Sequence, residues 1–259
     1  MTKIISVVNQ KGGVGKTTTM VSLSSFLAKE HSKKVLAIDL DPQGNASSGL
    51  GVEKSSFRQC IYNVLIGEAE IEEVLQKNVL DNLDVLPASI QLAGAEIELV
   101  NELSRETKLK KSLDSILDDY EYIVIDCPPS LGLLTINSLT ASSHILIPLQ
   151  CEYFALEGLT QLLNTVNIIQ DELNPSVQIL GILLTMADHR TNLTTQIIDE
   201  VKEHFPQHVF ETVISRNVKL SEAPSHGVPV LLYDPKCTGS LNYSAFTKEC
   251  LDCLETEKR

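Results

Sequence analysis

The chain has 259 residues, 43% of them apolar and 21% charged, a length that supports one large or two small domains with a full core and excludes a small scaffold stapled by disulfides or metals. Trp is absent and aromatics make up only 5%, so Leu, Ile, Val and Ala carry the core, which suits buried parallel strands covered by helices. The formal charge of −13 is uneven, with six basic and two acidic residues in 1–40, seven and seventeen in 41–126, and eight and fifteen in 127–259; the one basic segment is the first, and no linear polybasic tail for nucleic acid or membrane is present.

In chain order, the β-branched run at 4–8 predicts a strand. A glycine- and lysine-rich loop follows, and then a helix over 17–29 with Leu23, Phe26 and Leu27 on one face. Further strands are expected at 35–39, 122–126, 144–148, 177–184, 209–214 and 228–231. Amphipathic helices are expected over 91–119, 131–142, 155–173, 193–204 and 240–256, and 52–80 reads as a peripheral insertion. Strands alternating with helices imply right-handed crossovers, and no repeat or linker interrupts them. The expectation is an α/β fold: a single domain over 1–259 with one doubly wound, mostly parallel sheet flanked by helices. No apolar run reaches the roughly 20 residues of a membrane helix. Six cysteines are scattered without a framework, so a cytoplasmic protein with reduced thiols is expected.

The segment Gln10-Lys11-Gly12-Gly13-Val14-Gly15-Lys16-Thr17-Thr18 lies between the first strand and the first helix. There, glycine backbone N–H groups and a helix N-terminus can converge on phosphate oxygens. Lys16 would reach the β- and γ-phosphates, and the Thr17 hydroxyl would ligate Mg²⁺. Asp39 and Asp41 leave the second strand with i, i+2 spacing, and Asp126 ends another apolar run. Such carboxylates serve either chemistry at strand ends or the capping of the helices that follow.

The usual first glycine of such a loop is Gln10 here and a lysine follows it, which is the deviant Walker A pattern. On this string the chain resembles the ParA/MinD family of dimerising ATPases, and within it the chromosomal ParA (Soj) branch. The resemblance extends through Asp39-Leu40-Asp41-Pro42-Gln43-Gly44-Asn45, Asp126-Cys127-Pro128-Pro129-Ser130-Leu131-Gly132, the block 150–158 beginning Gln150-Cys151-Glu152, and Leu220-Ser221-Glu222-Ala223-Pro224-Ser225-His226-Gly227. It implies a P-loop NTPase fold, ATP and Mg²⁺ as cofactors, and ATP hydrolysis. Nucleotide-binding residues would be Lys11, Gly12, Gly13, Val14, Gly15, Lys16, Thr17 and Thr18. Lys11 is the signature lysine, reaching the partner's nucleotide in an ATP-bound homodimer, where an additional cation stabilises the spread charge of phosphoryl transfer. Lys11, Lys16 and Asp41 are the catalytic residues it implies, Asp41 positioning the attacking water. Asp126 would hold Mg²⁺ through a water, Asp39 would support the metal from outside its ligands, and 128–130 would form a switch. For the base, the family's Pro-Arg-Asn loop corresponds to Ser215-Arg216-Asn217, which points to Asn217 and the Ser215 backbone.

Members of the Soj branch bind double-stranded DNA nonspecifically when ATP-bound, in company with a ParB-type protein, and so associate with the nucleoid. The matching cations are Arg190 and Lys219, with Arg216 nearby. Residues 186–236 hold five Lys/Arg against seven Asp/Glu, so any DNA surface must come from geometry rather than composition. Two alternatives within the resemblance are a MinD-like positioning ATPase and an iron-sulfur carrier. The first needs a basic amphipathic C-terminal helix, whereas 247–257 is acidic. The second would use Cys250 and Cys253, whose i, i+3 spacing beside Leu251 and Leu254 equally suits a core-facing helix.

Overall fold

The computed structural model describes residues 2–152, 155–188 and 190–256. Seven strands, β1 (Lys3–Val7), β2 (Val35–Asp39), β3 (Gln76–Leu80), β4 (Leu83–Leu86), β5 (Tyr122–Asp126), β6 (His144–Gln150) and β7 (Gln178–Thr185), form one sheet in the order β3-β4-β2-β5-β1-β6-β7. All neighbours are parallel except the β3/β4 hairpin at one edge. The helices are α1 (Lys16–Lys29), α2 (Asn45–Gly49), α3 (Ile61–Ile66), α4 (Ile71–Val74), α5 (Leu92–Glu98), α6 (Lys108–Leu113), α7 (Leu133–Ala141), α8 (Ala155–Glu172), α9 (Asn192–His204), α10 (Val218–Glu222), α11 (Val230–Tyr233) and α12 (Thr238–Thr256).

The apolar runs are continuous because both faces of the sheet are covered. On β2, Leu36 and Ile38 enter a core layer with residues of α3, α5, α6, α7 and α8, while Val35 and Ala37 enter the opposite layer with Leu23, Phe26 and Leu27 of α1 and Tyr243 and Phe246 of α12. The period-2 alternation of a strand thus selects a layer rather than inside from outside.

Four departures from the sequence expectation have local causes. The segment 52–80 is more than an insertion: Ile61, Leu65, Ile71 and Val74 are core residues and its end forms the edge strand β3. Its hairpin partner β4 turns on Asp81-Asn82, with Asn82 in the left-handed region at φ 64°. The stretch 91–119 is broken into α5, α6 and short 3-10 turns, with Ser104 also left-handed at φ 54°. At 209–214 the chain forms no continuous ladder with β7: it meets the strand through an isolated bridge between Val209 and Ile182 and through the Ile214 N–H, which donates to the Leu184 carbonyl at 2.8 Å. There the Glu249 carboxylate of α12 accepts the Glu211 and Thr212 N–H groups at 2.6 and 3.0 Å, drawing them from a ladder. Finally, 228–231 is no strand, because Pro229 caps the short helix α11 instead.

Segment 208–210 still crosses β7 closely: the Ile182 N–H donates to the His208 carbonyl at 2.6 Å and the Phe210 N–H to the Ile182 carbonyl at 3.1 Å. This approach requires Gly181, where a Cβ would lie 2.5 Å from the Phe210 ring and 3.0 Å from the His208 carbonyl oxygen. Phe210 is buried edge-on against Phe246 and cannot swing away. Gly181→Ala is therefore expected to destabilise the fold by about 1–3 kcal/mol, read as a lower urea midpoint; an unchanged midpoint would show that the 208–210 segment yields freely.

Candidate functional site

Parallel pairing puts the chemistry in one row. β5 lies between β1 and β2, with Val7 in register with Asp126 and Asp126 in register with Asp39, so both acids stand side by side where their strands end. The phosphate loop leaves β1 beside them. Gly13 is left-handed at φ 77° and Gly15 at φ 92°, and Cβ atoms added at Gly12 and Gly13 would meet nothing within 4 Å, so the loop is an open cradle. Gly15 stands at the N-cap of α1 without a side-chain cap, leaving the first-turn N–H groups to an anion. Val14 anchors the loop from below: it is buried, and its carbonyl accepts the Thr185 hydroxyl at 2.8 Å.

Lys16 is buried, with its ammonium on the Lys11 carbonyl at 3.0 Å. Burial pulls its pKa below the usual ammonium range, opposed by the nearby Asp126 and Asp41. The Thr17 hydroxyl donates to Oδ2 of Asp126 at 2.7 Å. Asp126 is fully buried, and its other oxygen, Oδ1, has no hydrogen-bond partner. Burial, with Asp39 alongside, raises its pKa well above the ordinary value. A buried unpaired carboxylate oxygen costs on the order of 1–3 kcal/mol or more, so the site is built for a cation. Among the described residues no group of three or more His, Cys, Asp or Glu could hold a metal alone. The donor set, one hydroxyl and one carboxylate, fits Mg²⁺ that takes its other ligands from phosphate and water.

Asp39 is also fully buried, and burial raises its pKa to about 6 against three hydrogen bonds that favour the charged form. Its oxygens are engaged: Oδ2 accepts the Ser47 N–H and hydroxyl, both at 2.7 Å, and Oδ1 accepts the Asp41 N–H at 3.2 Å. Ser47 Oγ in turn accepts the Ala88 N–H at 3.1 Å. Asp39 thus pins the loop that carries Asp41, the capping alternative raised by the sequence. Asp41 itself is partly exposed above the cradle, and its Oδ1 accepts the Gln43 N–H at 2.9 Å. Lys11 lies on the rim, its ammonium 2.9 Å from Oε2 of Glu152 with both side chains well exposed. Tyr153 and Phe154 of that motif lie outside the described residues.

Beyond Gly15 and Thr18 opens a cavity of about 480 Å³ walled by Met186, Ser215, Arg216, Asn217, Val218 and Tyr243. Both expected base residues line it, with their polar atoms partly committed. The Ser215 N–H donates to Asn242 at 3.1 Å, and Asn217 Oδ1 caps α10 by accepting the Lys219 N–H at 2.8 Å, which leaves the Asn217 amide nitrogen for a base. The sequence reading omits Thr185 and Met186, the latter left-handed at φ 54°; its signal is only that the β7 apolar run ends there. The adjoining loops hold the expected DNA cations. Arg216 N–H donates to the Ala187 carbonyl, Arg190 pairs with Asp188, and Lys219 on α10 pairs with Glu222. Cys250 is buried in the core and Cys253 exposed, so they do not form one ligand site. The thiols of Cys127 and Cys151 are pushed up by burial to about 12 and about 11, consistent with inert packing.

A family model described as an AAA domain matches residues 2–179. The sporulation initiation inhibitor protein Soj of Bacillus subtilis is 58% identical over 249 residues, covering 96% of this chain and 98% of that protein. The chromosome partitioning protein ParA of Myxococcus xanthus is 49% identical over 249 residues, covering 96% and 88%. The chain belongs to the ParA/MinD family, in its chromosomal ParA (Soj) branch. Among solved structures, cobyrinic acid a,c-diamide synthase from Mycobacterium smegmatis with bound ADP and magnesium superposes with a TM-score of 0.87 at 35% identity, covering 99% of this chain and 97% of that one. The ParA/MinD fold is therefore shared across different named activities, and the features particular to this chain carry its assignment.

Lys16→Ala is expected to weaken nucleotide binding at least tenfold, since a charge-assisted contact of about 1.5–3 kcal/mol is lost. Titration with a fluorescent ATP analogue measures it, and unchanged affinity would remove the phosphate-loop assignment.

Proposed function

We propose that the chain is a Mg²⁺-dependent partition ATPase whose ATP-bound dimer holds double-stranded DNA nonspecifically and releases it after hydrolysis, in concert with a ParB-type partner at the nucleoid. The observation that carries this reading is the buried, half-satisfied Asp126 carboxylate joined to Thr17 beside the open glycine cradle. The full-length identity to partition proteins supports the biological setting.

Water attacks the γ-phosphorus of ATP, the bond to the β-bridging oxygen breaks, and ADP and phosphate leave. Lys16, already desolvated at the cradle, exchanges the Lys11 carbonyl for phosphate oxygens at little reorganisation cost. Asp41 orients the attacking water and accepts its proton; held by the Asp39–Ser47 pin, it costs little to position. Thr17 and Asp126 would hold Mg²⁺, which when bound would polarise the phosphate oxygens. Lys11 leaves Glu152 and meets the partner's nucleotide, so full charge compensation needs two subunits. Asn217 and the Ser215 segment hold the base.

A MinD-like membrane role is disfavoured by charge. No helix of the described residues is long and apolar enough to cross a membrane, and α12 has no basic residue in its last turn while Glu249, Asp252 and Glu255 would be repelled by anionic lipid.

Asp41→Ala is expected to bind ATP normally but hydrolyse it at least a hundredfold more slowly, in the range of a lost general base, and so to accumulate dimer on size-exclusion chromatography with ATP. Parental turnover, or only monomer, would refute its role. DNA retention measured with ATP, with ADP and without nucleotide tests the whole cycle: a shift is expected with ATP alone. The Arg190→Glu, Lys219→Glu double variant should abolish that shift while light scattering still reports the ATP dimer, because each substitution changes the dimer's DNA-facing charge by four units.

A further inference from the structure

The cations expected at the DNA edge do not stand alone. Arg190, 86% exposed at its side chain, forks onto Asp188: Nε donates to Oδ1 at 2.8 Å, Nη2 donates to Oδ2 at 2.6 Å, and the Arg190 N–H also donates to Oδ1 at 3.1 Å. Those hydrogen bonds, with the charge of Arg216 behind them, hold the Asp188 carboxyl well below the usual range. Arg216 is brought alongside by backbone, its N–H donating to the Ala187 carbonyl at 3.0 Å and Ser215 bridging Ala187. The same pattern recurs at Lys219, whose ammonium sits 2.8 Å from Glu222 and over the Tyr233 ring, while the Tyr233 hydroxyl donates to that same carboxylate.

A guanidinium has five N–H donors. Asp188 takes two, leaving Nη1 and one Nη2 hydrogen free to receive a phosphate, so the pairing does not block the cation. It fixes the rotamer of a long exposed side chain and neutralises most of its field. Aim and charge therefore act in opposite directions on a polyanion. Orientation lowers the entropy cost of each contact, whereas the carboxylate repels the phosphate that the arginine would hold.

Resting on the DNA-binding reading above, we propose that Asp188 is a built-in counter-ion that sets the strength and salt dependence of the DNA contact, holding Arg190 in place while keeping duplex binding weak enough to reverse. In the dimer each substitution of Asp188 removes two negative charges from the DNA-facing edge.

The test is retention of a random-sequence duplex by the full chain with ATP and Mg²⁺ at several salt concentrations. Asp188→Asn keeps an acceptor oxygen for Nε but loses the charge, and it should bind roughly three- to tenfold more tightly at low salt, the combined effect of two exposed ion pairs. Its salt slope should steepen by about 0.9 for each phosphate newly neutralised. Asp188→Ala, which also loses the acceptors, should gain less. In the Arg190→Gln background Asp188→Asn should gain clearly less, because only the loss of a repelling charge then remains and not the release of Arg190. If the parent binds and Asp188→Asn retains parental affinity and slope, the proposal is overturned while the DNA reading stands. A gain of undiminished size in the Arg190→Gln background also overturns it, since net charge alone would then explain it. No ATP-dependent shift by the parent overturns the DNA reading and the proposal with it.

Discussion

The structure depends on one electrostatic constraint: charges of both signs are buried within one small volume at the ends of the central strands, and the protein alone does not satisfy them. Asp126 and Asp39 are fully buried in register, each with its pKa raised, while the buried Lys16 beside them has its pKa lowered. Burial disfavours all three ions, and the hydrogen bonds available compensate them unequally. Asp39 is compensated by Ser47 and the Asp41 backbone; among the described residues one oxygen of Asp126 has no hydrogen-bond partner, and the Lys16 ammonium donates to the Lys11 carbonyl. A triphosphate with a divalent cation supplies the missing anion to Lys16 and the missing cation to Asp126 at once. Affinity for both together, rather than for either separately, follows from that arrangement.

The loop that bears Asp41 is braced from two sides. Below it, the chain of hydrogen bonds from Asp39 through Ser47 to Ala88 ties the exit of β2 to the exit of β4. Beside it, Gly51 and Gly227 meet back to back: a Cβ at Gly51 would lie 2.8 Å from the Gly227 carbonyl oxygen, and both residues are left-handed. Gly227 closes the turn that follows α10, the helix capped by Asn217 on the wall of the base cavity. The turn that follows α2 is therefore packed on the turn that follows α10. Displacement of the turn at Gly227 would open its contact with Gly51 and Ser48.

What the sequence made legible was whatever is encoded locally. The phosphate loop could be read because its glycines, lysine and threonine are contiguous, and the central strands because burial on both faces yields unbroken apolar runs. β4 was missed because Leu83-Asp84-Val85-Leu86 is short and its apolar run is interrupted by Asp84; the Asp81-Asn82 turn was the available signal. The irregular segment at 209–214 could not be foreseen, since its amides are captured by Glu249, about 38 residues away in sequence. That Asp39 holds Ser47 could not be read locally, because its partner lies on a different element. The cationic edge proposed to meet DNA was invisible in composition for a related reason: its cations come from separate loops and its acids lie two or three residues from them, so the net charge of the segment conceals how they pair.

The base cavity and the cationic edge are built from the same two strips of backbone. One strip leaves β7 through Thr185 and the left-handed Met186 and continues to Asp188 and Arg190; the other runs from Ile214 through Arg216 and Asn217 into α10 and Lys219. They are joined by the Ala187 N–H to the Ile214 carbonyl and the Arg216 N–H to the Ala187 carbonyl, each at 3.0 Å. Residues facing one way wall the cavity, and residues one or two positions further along carry the charges. A base bound in the proposed pocket would order both strips and fix the spacing of the cations in the same act, without a signal crossing the sheet. In the proposed ATP dimer that edge would be presented twice, and with a charge of −13 per chain attraction to duplex would be confined to it.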